Sequence, residues 1–470
     1  MDSTTTRDRA GGDAARDARH AVRAARPTRP LPGARRPDGA VPAARPVRPV
    51  VTELRLSAFR SHRGAVFPIG PLTLFTGPSG SGKSAALQAY EALAGLGAGA
   101  ALDTVFPDPG ACVPEGAPAD AQGRRGFRVG CTTDGPAGPV RLDLAVQAEP
   151  RLRVVGERLT GGDGRTLLAT ALRDPGRRSV HAEWYTSGPA PATRAPLPDD
   201  RLATALLPLR VAGKDDGQLR VLAAAEQTLM ALRSVFACDP RPSLMRAPVA
   251  PVEGRLRRGC DNLAEVLHRT RADCARRHAR LVALARAGCA GPVRGVDAET
   301  LPDGTVRALL VRHAAGDGGP GPGAGRGAGR PPGAGTGAVG GFGGAAAGGV
   351  GGGAVRGVGG GAVGGRIAGT PLDRLGDGEL RYLALGLVLL TGPGVLAVDQ
   401  PAEVPGPMQA LTVLADGFDR GLDARQAHEL TALAAAICAD GHMRLIGAVG
   451  ETGAGAARAC PGATVVDLTP

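Results

Sequence analysis

The sequence predicts an α/β fold with a largely parallel sheet, and three observations carry that expectation. A short apolar strand, Leu72-Thr-Leu-Phe-Thr76, runs into a glycine-rich turn and then into Ser84–Ala94, which is made largely of helix formers. The C-terminal part alternates helix (Glu379–Leu390), strand (Val395–Val398), helix (Ala424–Ala439), strand (Leu445–Val449) and a last strand (Thr464–Leu468), the pattern of helices covering a parallel sheet. Two low-complexity stretches can be set aside, and most of the 470 residues remain for a buried core.

Those two stretches account for much of the composition. Residues 1–49 hold eleven Arg against five Asp, half of the formal net charge of +12, and read as a disordered basic arm. Residues 316–365 hold 26 glycines with Phe342 as their one aromatic. Too little apolar area is available there to offset backbone entropy, so a disordered loop is expected. The high isoelectric point is thus mostly a property of flexible segments and permits contact with nucleic acid without demanding it. No apolar run is long enough for a membrane span; the longest, Leu383 to Leu390, stops at Thr391-Gly-Pro-Gly. The eight cysteines (112, 131, 238, 260, 274, 289, 438 and 460) form no CxxC pair, and no apolar export signal opens the chain. They are expected to be reduced, buried thiols in a cytoplasmic protein.

From the N-terminus, Thr52-Glu-Leu-Arg-Leu-Ser-Ala-Phe59 alternates with period two as a half-buried strand does, and Val66–Ile69 is a candidate second strand. Strand-like pieces recur at Phe127–Cys131, Val140–Val146 and Arg151–Val155. Gln218 to Phe236 is Leu/Ala-rich and helical. Asp261 to Ala287 places Leu263, Val266, Leu267, Cys274, Leu281, Val282 and Leu284 at roughly helical spacing. No heptad runs for three repeats, so no long coiled-coil arm is expected. Val306–Val311 reads as a strand before the glycine-rich segment.

The sharpest signal is Gly77-Pro78-Ser79-Gly80-Ser81-Gly82-Lys83-Ser84, which fits G-x-x-x-x-G-K-[ST] between a strand and a helix. Glycines let backbone N–H groups close around phosphate oxygens, and the helix N-terminus adds positive potential. Lys83 is then placed for the β/γ-phosphates and Ser84 for Mg²⁺. Of 56 basic residues only Lys83 and Lys214 are lysines; a compact point charge suits a tight phosphate cradle better than a planar fork. The expected ligands are ATP and Mg²⁺. Val395-Leu-Ala-Val-Asp399 is an apolar strand ending in Asp, so Asp399 is the expected second metal-side carboxylate.

Here a resemblance enters. Leu372-Asp-Arg-Leu-Gly-Asp-Gly-Glu-Leu-Arg-Tyr-Leu-Ala-Leu resembles the ABC-type signature segment of the RecF/SMC-like ATPases, and is similar to that of the AAA-domain proteins grouped with the AbiEii and OLD defence ATPases. Leu54-Arg-Leu-Ser-Ala-Phe-Arg-Ser-His62 resembles the L-x-x-F-R strand that opens their head. Cys260-Asp-Asn-Leu-Ala-Glu-Val-Leu267 resembles the start of their helical insert. The resemblance implies an ABC-ATPase-like head with a mixed sheet flanked by helices. Its parts would be an N-terminal lobe over 51–212, a helical insert over 213–292 and a C-terminal lobe over 300–470 interrupted by 316–365. It also implies a homodimer of heads sandwiching ATP. Gly376, Asp377, Gly378 and Glu379 of one copy would approach the nucleotide held at Lys83 of the other.

The departures from the family pattern bear on turnover. The residue after Asp399 is Gln400 where a catalytic Glu is the rule, Gly376 replaces the signature serine, and no switch histidine stands near Val449-Gly450. A neutral amide does not take a proton from water as a carboxylate does. The expectation is a DNA-associated ATPase, in repair or defence, that hydrolyses ATP slowly. Its alternatives are a non-hydrolysing ATP-sensing switch that signals to a partner protein and, behind it, a metabolite kinase. No membrane partner is expected.

Overall fold

In the computed structural model the described residues are 48–187, 192–252, 254–312, 369–392, 394–398 and 410–469. The basic arm up to residue 47, the glycine-rich segment over 316–365, and both Asp399 and Gln400 lie outside them. The chain starts with β1 (Val50–Phe59), β2 (His62–Pro68), β3 (Leu72–Thr76), α1 (Lys83–Gly97) and the short α2 (Leu102–Val105). Six strands follow: β4 (Arg125–Asp134), β5 (Val140–Glu149), β6 (Arg153–Gly161), β7 (Thr166–Ala171), β8 (Ser179–Tyr185) and β9 (Ala192–Pro198). Next come α3 (Ala203–Leu206), α4 (Asp216–Arg233), β10 (Val235–Cys238), α5 (Pro242–Met245), α6 (Leu263–Asp273) and α7 (Ala275–Gly288). The last part holds β11 (Val293–Thr300), β12 (Val306–Arg312), β13 (Thr370–Pro371), α8 (Asp377–Leu390), β14 (Leu411–Ala415), α9 (Ala424–Ala439), β15 (Met443–Ala448), α10 (Glu451–Ala459) and β16 (Ala463–Asp467).

Parallel and antiparallel strands separate into different sheets instead of mixing in one, which corrects the expected mixed sheet. The order β2-β1-β4-β5-β6-β7-β8-β9 forms an eight-stranded sheet whose neighbours are all antiparallel. The order β10-β14-β15-β3-β16 forms a five-stranded, wholly parallel sheet. A third, antiparallel sheet runs β11-β12-β13.

The parallel sheet is the centre of the fold because both of its faces are buried, as parallel sheets require. Period-two alternation sorts its side chains. Leu72 and Leu74 of β3, Leu411, Val413 and Ala415 of β14, and Met443 and Leu445 of β15 enter one core cluster, shared with α6, α7, α8 and α9. Phe75, Leu414, Ile446 and Ala448 point the other way, into the cluster shared with α1, α4 and the eight-stranded sheet. Burying one such leucine is worth about 1.5–3 kcal/mol, so the strand order is over-determined by packing on two sides.

Two sequence expectations are corrected. Val395–Val398 joins none of the sheets; Leu396 makes only an isolated bridge with Leu256. The helix expected over 218–236 ends at Arg233, and Val235–Cys238 extends instead as β10 beside β14. The segment after Val155 adds three more strands, β7 to β9, to the antiparallel sheet. The helical pair over 261–287 is present as α6 and α7, broken at Cys274, whose φ of −151° and ψ of 87° leave the helical region. All eight cysteines are free thiols. Among the described residues no helix is long and apolar enough to cross a membrane.

Candidate functional site

The turn between β3 and α1 folds around its lysine. Lys83 Nζ donates to the carbonyls of Gly77 (2.6 Å) and Pro78 (2.9 Å), so its ammonium points back into the loop. The loop needs Gly82 for two reasons. Its φ is +99°, in the left-handed region, and a Cβ there would stand 2.5 Å from the His62 ring. His62 in turn donates from Nε2 to the Gly82 carbonyl at 3.0 Å, fixing the β1–β2 turn against the loop. Gly82→Ala is therefore expected to cost about 2–4 kcal/mol, a backbone penalty plus overpacking. A thermal melt several degrees below wild type is the check.

Ser84, the second residue of α1, donates from Oγ to Asp416 Oδ1 at 3.0 Å. Asp416 directly follows β14, whose five residues are all buried. Strand β14 is separated from β3 only by β15, so the parallel sheet itself brings Asp416 to the loop. The carboxylate that meets Ser84 among the described residues is thus Asp416, at the end of a strand inside the sheet; the 395–398 run lies outside the sheet, and Asp399 lies outside the described residues. The next residue is Gly417, at φ +63°.

Loop, β14 end and β15 end enclose a cavity of about 580 Å³ lined by, among others, Arg60, Lys83, Ser84, Asp416, Arg420 and Glu451, within the range of small-molecule sites. The side of it formed by β15 is held by Asp419, which is buried and accepts from Gly450 N at 2.9 and 3.1 Å and from Gly453 N at 2.6 Å. These bonds cap the start of α10. No histidine lies there; Gly450 is the residue that precedes the helix. Ser81 Oγ, within the loop, is buried with no hydrogen-bond partner among the described residues.

The Gly376–Glu379 segment lies elsewhere on the chain. Gly376 precedes α8, with Asp377 exposed beside it and paired with Arg246. Arg246 also donates to the carbonyls of Asp373 and Leu375, both at 2.8 Å. Glu379 accepts from Ala290 N (2.9 Å) and Arg312 Nη2 (3.2 Å). None of Gly376, Asp377, Gly378 and Glu379 lines the cavity at Lys83 of the same chain. The two regions are nonetheless tied together. Arg381 of α8 is buried and donates to the carbonyls of Gly417 (2.9 Å) and Pro240. Burial, reinforced by nearby Arg420, holds its guanidinium below the usual arginine range.

Asp416, Gly417, Asp419 and Glu451 were not singled out by sequence reasoning. The available signal was the buried run Leu411-Thr-Val-Leu-Ala415 ending in Asp, which has the same form as the 395–399 run.

No protein-family model matches the sequence, and no curated protein does. Matching solved structures include an SMC head bound to the C-winged helix domain of ScpA, 11% identical over 87% of this chain and 92% of that one, with a TM-score of 0.41. The SMC head domain from Thermotoga maritima matches at 12% identity over 87% and 92%, with a TM-score of 0.33. The recombination mediator protein RecF with ATP matches at 14% identity over only 26% and 29%, with a TM-score of 0.19. At TM-scores this low the overlaps bear no functional weight, and function is read from the chain's own geometry.

Proposed function

We propose that the chain binds MgATP in the cavity between its phosphate loop and the end of β14, and acts as a slow ABC-type ATPase in which two copies pair face to face. The observation that carries this reading is the hydrogen bond from Ser84 to Asp416. It joins a hydroxyl and a carboxylate, two hard oxygen ligands suited to Mg²⁺, beside a lysine whose partners among the described residues are loop carbonyls. The buried, unpartnered Ser81 Oγ adds a polar group that a phosphate oxygen would satisfy.

In this reading Ser84 and Asp416 hold the metal, and Lys83 exchanges its loop carbonyls for β/γ-phosphate oxygens. When bound, Mg²⁺ neutralises phosphate charge. Backbone N–H groups of Gly80–Ser84 and the N-terminus of α1 add positive potential, and Arg60 and Arg420 stand in the same cavity. The exposure of Gly376 and Asp377, away from their own cavity, supports their use on the nucleotide of a second copy. Lys83→Ala is expected to lower MgATP affinity by roughly 100-fold, the worth of one or two charge-assisted bonds. Calorimetric titration measures it, and unchanged affinity would sink the reading.

Turnover is proposed to be slow because the residue after Asp416 is Gly417, so no carboxylate is held directly beside Asp416 and any proton acceptor must come from another part of the cavity. The same glycine favours a second reading, an ATP-sensing switch that signals to a partner protein without turnover. Phosphate release measured on protein that binds ATP separates the two. DNA is a further proposed partner in the cytoplasm, through the eleven arginines of residues 1–49. Salt-sensitive retention on DNA that survives deletion of 1–49 would refute that part.

A further inference from the structure

Among the described residues the cavity lacks a proton acceptor where one would be sought, beside Asp416, yet three carboxylates line it: Asp416, Asp419 and Glu451. Their partners differ. Asp416 accepts from Ser84 and belongs to the metal side. Asp419 is buried, with both oxygens taken by the backbone N–H groups of Gly450 and Gly453. Gly453 is the residue that lets this carboxylate sit so close, since a Cβ there would stand 2.8 Å from Asp419 Cγ. Glu451 is exposed, is the first residue of α10, and takes no hydrogen bond or ion pair among the described residues.

We propose that Glu451 is the catalytic residue that takes the proton from the attacking water when bound ATP is hydrolysed, in place of a carboxylate after Asp416. The proposal rests on the MgATP reading above. Water oxygen bonds to the γ-phosphorus while the bond from that phosphorus to the β,γ-bridging oxygen breaks. ADP leaves with the electron pair, and the water proton passes to a Glu451 carboxylate oxygen and thence to solvent. A carboxylate without a protein partner is free to make this transfer, whereas Asp416 and Asp419 would first have to surrender bonds that shape the site. Asp419 acts as a positioning residue, holding the turn from which Glu451 projects.

The test uses the full-length chain, wild type against Glu451→Gln and Glu451→Ala, because an exposed position makes both variants compatible with folding. MgATP affinity is measured by calorimetry, phosphate release in a single turnover, and the nucleotide left on the protein is identified after rapid desalting. Both variants are expected to bind MgATP within about twofold of wild type, release phosphate roughly 100-fold more slowly, as for loss of a general base, and retain ATP rather than ADP. Variants that release phosphate at the wild-type rate would overturn the assignment. So would a wild type that binds MgATP and never turns it over. A wild type that binds no MgATP would instead overturn the underlying reading, and this proposal with it.

Discussion

Asp416→Asn is expected to abolish the Mg²⁺-dependent part of ATP binding, whereas Asp399→Asn leaves it unchanged. Asp416 leaves a strand of the parallel sheet next to β15 and meets Ser84 at 3.0 Å. An amide retains the shape and the hydrogen bond to Ser84 but removes the charge that a hard cation requires. Even outer-shell partners of a metal are worth roughly 10- to 100-fold in affinity, so loss of a direct ligand is expected to cost at least the upper figure. Titrating ATP with and without Mg²⁺ into both variants is the check. The outcome that matters is which of the two loses its response to the metal.

A second large effect is expected at Gly378. A Cβ at this position would stand 2.2 Å from the Gly421 carbonyl oxygen, a backbone atom that cannot swing aside. The N-terminus of α8 therefore rests directly on the turn between Asp416 and α9. Gly378→Ala is expected to destabilise the chain by about 1–3 kcal/mol through overpacking. Gly376→Ala, two residues earlier, is the control. Nothing lies within 4 Å of its Cβ and its φ of −64° suits any residue, so it loses only the modest N-cap preference of Gly over Ala, and its melting temperature is expected to fall less than that of Gly378→Ala. Equal melting temperatures for the two variants would contradict the packing described for α8.

The parts of the fold legible in the sequence are those set by local chemistry. The strand–loop–helix from Leu72 to Gly97 carries its own glycine pattern, and α9 begins at Asp423, whose side chain caps it in a reciprocal pair with Gln426. The carboxylate that meets Ser84 was not legible for a different reason. Residues 395–399 and 411–416 are both apolar runs ending in Asp, and local pattern ranks them alike. What separates them is long-range: Leu411–Ala415 pairs with β10 on one side and β15 on the other, a choice made by packing between segments far apart in the chain. Strand β9 was missed because it is an edge strand of its sheet and carries Pro196 and Pro198, residues that a strand reading discounts.

The central claim is that Ser84 and Asp416 serve one metal ion beside Lys83. A double-mutant cycle tests it most directly: MgATP affinities of wild type, Ser84→Ala, Asp416→Asn and the double variant, all by calorimetry. Two ligands of one ion are strongly coupled, so the double variant is predicted to bind no more weakly than the weaker single one. Losses that simply add would contradict the account.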